Sequence, residues 1–271
     1  MKFTVLGATG FIGSHLSEFL MKAGEECLTP YRDDPAIYGQ NLGHVLYCIG
    51  LTADFRERPF DTIRAHVVHL MHVLENCTFD SFLYLSSTRL YLKGNQAEET
   101  VDIRVNANDP EDLYNLSKLM GESVCFASDH PNVRVARLSN VFGKKEGGAD
   151  FLSSVIHDAV ERGKVVLTTS MASEKDYVSV EDVVALLPKI AVSGRERLYN
   201  VASGENISNR ILLREIQRHT GCAVTMADHT QVSRFPEIAI TRIKSEFGFL
   251  AKGLIPAIGG LIPQYAAKGV S

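Results

Sequence analysis

The chain predicts an α/β fold: a doubly wound parallel sheet followed by a small C-terminal α+β lobe. Three observations predict it. Strand-like and helix-like segments alternate from the first residue, the order that builds a parallel sheet. A glycine-patterned turn separates the first strand from the first helix. After Gly143 the texture changes: Gly147-Gly148 opens a loop, and one clear helix is followed by shorter elements.

In order, Lys2–Leu6 reads as a strand, Phe11–Ala23 as an amphipathic helix, Glu26–Thr29 as a second strand and His44–Ile49 as a third. A helix over Asp61–Asn76, a strand over Ser81–Leu85, a helix over Pro110–Ser128 and a strand over Val133–Leu138 follow, then a helix over Asp150–Arg162. This places a Rossmann-type domain at 1–143, to which the chain returns at about 176–201, and a smaller substrate lobe at 144–175 and 202–271. The stretch from Pro30 to His44 contains Pro35, Gly39 and Gly43. It is long enough for one crossover but not for an additional strand and helix. The sheet should therefore lack an edge strand on the adenine side.

Bulk properties exclude several classes. Lys+Arg 28 against Asp+Glu 32 gives a net charge of −4, which offers no basic surface to nucleic acid or anionic lipid. The five cysteines are scattered without a C-x-x-C pair, and reduced thiols fit a cytoplasmic protein. The apolar start runs directly into the glycine turn and reads as a strand rather than a leader. Gly253–Pro263 is too short and too broken by Pro and Gly to span a bilayer.

Gly7, Ala8, Thr9, Gly10, Phe11, Ile12 and Gly13 lie between strand and helix. Glycines there permit a tight turn and close backbone approach to a pyrophosphate, with the helix N-terminus facing the phosphates. Ile49 and Gly50 at the end of the third strand and Ser86 at the end of the fourth complete the expected cofactor wall. After the second strand the chain reads Arg32-Asp33-Asp34. A basic residue there suits the 2′-phosphate of NADP, an acidic one the ribose of NAD. Arg32 comes first and favours NADP, with NAD the alternative; a solvated charge cluster would read the same way.

Tyr114 and Lys118 stand one helical turn apart on one face. A phenol becomes a working acid/base when neighbouring positive charge favours its anion. Alone, such a pair is common on helix surfaces. Here it follows Ser86-Ser87-Thr88 at a strand end, where ligands of parallel sheets gather. His66, His69 and His72 recur every three residues. With no carboxylate or cysteine at partner spacing, they predict a helix–helix contact and no metal site.

Six ordered segments resemble the extended short-chain dehydrogenases/reductases, the NAD-dependent epimerase/dehydratase family that modifies nucleotide sugars: GATGFIG, YLSSTRLY, DLYNLSKLMGE, RLSNVFG, KDYVSVEDVV and LYNVASGENIS. The resemblance implies that Tyr114 is the acid/base, that Lys118 holds the nicotinamide ribose and tunes it, and that Ser87 bonds the reacting oxygen. It implies that Asn140 and Lys175 meet the nucleotide diphosphate, Lys175 standing where the family usually has Arg. Thr88 and Arg89 occupy the positions where dehydratases carry an Asp-Glu pair, which argues against dehydration and places both beside the substrate. His66 and His69 stand where the family usually has Asn and Gly. The implied activity is NAD(P)-dependent 4-ketoreduction of a nucleotide-activated hexose. A 4-epimerase using the same residues and a non-catalytic NAD(P)-binding regulator are the alternatives. The family also implies a homodimer through helices 61–76 and 110–128.

Overall fold

A strand covered on both faces should be apolar almost throughout rather than alternating, and the first strand is. In a computed structural model describing residues 1–32, 34–52, 54–144 and 150–266, β1 (Lys2–Leu6) is buried from Phe3 to Leu6. Asp33 and the Gly147-Gly148 loop lie outside the described residues. Helix α1 (Phe11–Lys22) follows, then β2 (Glu26–Leu28) and β3 (His44–Tyr47), each strand slightly shorter than its sequence suggests. Next come α2 (Pro59–Ile63), α3 (His69–Asn76), β4 (Ser81–Ser87), α4 (Leu113–Ala127) and β5 (Val133–Leu138). The remainder comprises β6 (Asn140–Phe142), α5 (Phe151–Glu161), β7 (Lys164–Thr169), β8 (Glu174–Ser179), α6 (Val180–Ser193) and β9 (Leu198–Val201). It ends with β10 (Asn206–Ser208), α7 (Asn209–Thr220), β11 (Ala223–Gln231), α8 (Thr241–Phe247) and α9 (Leu254–Leu261), with one short turn of helix beyond.

Six strands form the main sheet in the order β2-β1-β3-β4-β5-β9, and every pairing in it is parallel. One face is packed by Leu16 and Leu20 of α1 with Val183 and Leu187 of α6. The other takes Ile37, Leu70 and Val73 of α3, and Cys125 of α4. Helices on both faces make the fold doubly wound. Between β2 and β3, among the described residues, the one regular element is a 3-10 turn over Pro35–Gly39, capped by Asp34, whose carboxylate accepts from the Ala36 N–H at 3.0 Å. Among the described residues nothing pairs with the outer side of β2, which is the edge of the sheet.

The second lobe holds the three-stranded sheet β10-β8-β6 and the pair β11-β7. Its core gathers Leu152 and Ile156 of α5, Leu212 and Ile216 of α7 and Ile258 of α9. The expected lobe boundary at 202 needs correction at one segment. Ile238, Ile240 and Ile243 pack into the core of the main sheet, because α8 lies against β9.

The helix expected over Asp61–Asn76 is also different. A π turn over Arg64–Val68 joins α2 to α3, with the His69 N–H donating to the Arg64 carbonyl. A π turn inserts one residue and shifts the helical phase. The three histidines therefore do not share a side. His66 is fully buried, while His69 packs on the Tyr47 ring at 5.9 Å and His72 on Tyr38 at 5.4 Å. Among the described residues no cluster of His, Cys, Asp or Glu could hold a metal ion. None of the described helices is long and apolar enough to cross a membrane, and all five cysteines are free.

Candidate active site

The glycine turn closes on itself, the Gly10 N–H donating to the Gly7 carbonyl at 3.0 Å. Two of its glycines are required by the protein's own packing. Gly7 has φ +89°, and a Cβ on it would lie 2.9 Å from the Ile49 nitrogen; one on Gly13 would lie 2.2 Å from the Gly7 carbonyl oxygen. Gly10 is different: a Cβ there would meet only the Gly7 oxygen, at 3.4 Å. Its open side and the exposed Thr9 border free space at the N-terminus of α1. That is where backbone N–H groups and the helix dipole would receive a pyrophosphate. Phe11 and Ile12 are half-buried behind it, Ile49 packs against Gly7, and Gly50 is exposed beside it at the end of β3. Arg32 is exposed in the turn after β2.

Strand β4 delivers three hydroxyls to three destinations. The Ser86 hydroxyl is buried and donates to Glu122 of α4, which ties the sheet to that helix. Thr88 is also buried, donating to the Leu138 carbonyl at 3.3 Å. Alternation along the strand leaves Ser87 between them, half-buried and beside the Tyr114 phenol, whose pKa it lowers. It also caps the next turn by accepting from the Arg89 N–H at 3.1 Å.

Tyr114 is 4% exposed. Burial raises its pKa, while the Ser87 hydrogen bond and the charge of Arg89 pull it back. The Arg89 guanidinium lies 5.7 Å from the Tyr114 ring and 5.3 Å from that of Phe55. Lys118 is as buried as Tyr114, and its ammonium donates to the Leu85 carbonyl at 2.8 Å. Loss of hydration lowers the Lys118 pKa to about 7. His66 sits edge-on to the Tyr114 ring at 5.5 Å. Burial, with the nearby Lys118 charge, lowers its pKa to about 2, so the imidazole is neutral.

Across the cleft, Lys175 of β8 lies 4.7 Å over the Phe151 ring. Its pKa is lowered by burial and by repulsion from Arg89, and raised only in part by Asp150. Among the described residues, the buried Arg89 Nε has no hydrogen-bond partner. Arg89 also reaches Glu111 at 3.5 Å, but Arg56 already binds that carboxylate. Asn140 is exposed nearby, its amide donating to the Asp176 carbonyl at 2.8 Å.

Sequence reading missed what lies beneath the site. Glu122 and Arg137 form a buried bidentate pair at 2.9 and 2.6 Å, and Arg137 also donates to the Tyr91 hydroxyl, which donates to Asn200. Such a pair needs its full complement of hydrogen bonds to offset desolvation, and Ser86 and Tyr91 supply them. No sequence signal links positions on different elements in this way.

A glycine turn at the head of a doubly wound parallel sheet, with a Ser/Tyr/Lys set at the strand ends, defines a dinucleotide-binding α/β protein. The chain belongs to the NAD dependent epimerase/dehydratase family, whose model matches residues 3–53 and 36–202. It is thus an NAD(P)-dependent enzyme by family. It is 24% identical, over 80% of its length and 80% of the other, to a dTDP-4-dehydro-6-deoxy-D-allose reductase of Streptomyces bikiniensis. Its fold is similar to that of MoeE5 in complex with UDP-glucose and NAD (TM-score 0.81, 20% identity, all of both chains). It is likewise similar to RMD from Pseudomonas aeruginosa complexed with NADPH (TM-score 0.83, 19% identity, 99% of this chain and 100% of that one).

Proposed function

We propose that the protein reduces a 4-keto nucleotide-activated hexose, with NADP(H) as coenzyme. The observation that carries this reading is the buried Tyr114 phenol beside Ser87, with the Arg89 guanidinium 5.7 Å from the Tyr114 ring and its buried Nε without a hydrogen-bond partner among the described residues. An incompletely paired cation favours an anionic ligand, and a nucleotide diphosphate is one. The nucleotide-sugar names and ligands of the relatives support the same substrate class. Bound at the Gly10 cradle, the nicotinamide coenzyme would supply the hydride. Ser87 then donates to the substrate oxygen, and Tyr114 gives that oxygen its proton as charge develops there. Lys118 bonds the nicotinamide ribose, and Asn140 and Lys175 hold the diphosphate. Arg32 reads the adenosine 2′-phosphate.

The test is coenzyme stoichiometry with 4-keto sugar nucleotides. One NADPH oxidised per sugar reduced, with NADPH preferred to NADH, is the expected result. Inversion at C4 without net coenzyme consumption would replace the reading with an epimerase, and a preference for NADH would remove the role of Arg32.

We further propose a homodimer through the faces of α3 and α4. Val68, Met71 and Met120 there are 48%, 41% and 54% exposed, a cluster of apolar surface that a second copy would cover. Sedimentation at micromolar concentration should give twice the chain mass. A monomer would overturn it.

A further inference from the structure

His66 is a fully buried titratable side chain that the proposed chemistry does not use. Its two nitrogens are both engaged. Nε2 accepts from the Leu51 N–H at 3.1 Å, and Nδ1 lies 2.8 Å from the Ser117 hydroxyl. That hydroxyl donates to the Tyr114 carbonyl at 2.8 Å. Only one arrangement of protons satisfies all of these contacts: neutral imidazole, Nε2 bare, Nδ1–H donating to Ser117. The result is a directed chain from the loop after β3 to the first turn of α4. The loop itself is wedged. A Cβ on Gly50 would come within 3.1 Å of His66 Nε2 and 3.4 Å of Lys118 Nζ, while Ile49 touches Gly7 of the glycine turn.

The π turn is what presents His66 here, and the fold supports it at specific cost. Two of its carbonyls accept from buried tyrosines of the neighbouring strands. Tyr47 donates to the Ala65 carbonyl at 2.6 Å and Tyr84 to that of His66 at 3.3 Å. π turns recur at functional sites.

We propose that His66 is a positioning residue that locks the coenzyme-side loop at Gly50–Leu51 to the Tyr114–Lys118 helix through its neutral imidazole. The proposal rests on the reductase reading for its effect on turnover, but not for its effect on coenzyme binding. Protonation would set an N–H against the Leu51 N–H, and burial prevents it.

The test uses His66→Ala and Ser117→Ala in the full chain, reading NADPH and NADH affinity by calorimetry and turnover separately. His66→Ala severs both links and should weaken coenzyme binding and slow turnover, each by about tenfold, the worth of one buried hydrogen bond. Ser117→Ala leaves the Leu51 bond in place. It should keep wild-type coenzyme affinity while kcat falls severalfold, a split that simple loss of stability would not produce. Should His66→Ala fail to fold, the split in Ser117→Ala decides alone. Unchanged kcat in a folded Ser117→Ala, or unchanged affinity in a folded His66→Ala, would overturn the proposal. A wild type that binds neither coenzyme would instead overturn the function proposed above.

Discussion

Tyr114→Phe should leave coenzyme and sugar-nucleotide binding almost intact while turnover falls by about 10²–10⁴-fold, the range for loss of a general acid–base. The substitution removes one oxygen from a ring that keeps its contacts with Phe55 and His66. Ser87 loses its phenol partner but retains the Arg89 N–H, so the strand end should not rearrange. Steady-state kinetics on the true substrate check the fall, and calorimetry checks the binding. Near-full activity in the variant would end the catalytic assignment and favour the non-catalytic, dinucleotide-binding regulator.

Lys118→Met should separate stability from activity. Taking an ammonium out of water costs several kcal/mol even after relaxation, against about 1 kcal/mol for the single bond to the Leu85 carbonyl. Desolvation wins, so the variant should melt several degrees higher near neutral pH. The sign follows from the depressed pKa. Between about 7 in the folded protein and ~10.4 in the unfolded chain, the unfolded state binds more protons, and wild-type stability rises with pH. The advantage of methionine should be full below about pH 7 and shrink as pH climbs through that window. Turnover and coenzyme affinity should both collapse, because the proposed ribose contact goes with the charge. A thermal-denaturation series from pH 6 to 10 checks the first part. A variant less stable than wild type at pH 7 would contradict it.

Legibility in the sequence tracked how local each constraint is. The glycine turn was readable because its spacing sits between a strand and a helix and Gly13 answers to Gly7 and Ala8 within the same turn, although Gly7 answers to the distant Ile49 backbone. The absent edge strand followed from counting residues between Pro30 and His44. Tyr114 and Lys118 share a face because α4 is regular. The histidine repeat was legible in part: His66 does make a helix–helix contact, with Ser117 and Tyr114 of α4, but a three-residue repeat means one side only while the helix stays regular, and the π turn breaks that assumption. Ser86, Ser87 and Thr88 read in sequence as one hydroxyl cluster, whereas the strand end sends the Ser86 and Thr88 hydroxyls to Glu122 and to the Leu138 carbonyl. The Glu122–Arg137 pair joins a helix to a strand 15 positions on, and its meaning depends on burial that no spacing reveals.

The short crossover also leaves a row of main-chain donors and acceptors facing solvent along β2. An open flank of this kind can recruit a foreign strand and seed aggregation. Here the hazard is contained by brevity. β2 is three residues long, its first residue is the charged, exposed Glu26, and Pro30, two residues beyond its end, has no N–H to offer an incoming chain. Having given up an outer strand, the protein retains an edge too small to copy. Lengthening β2 by substituting Pro30 would trade that protection for self-association.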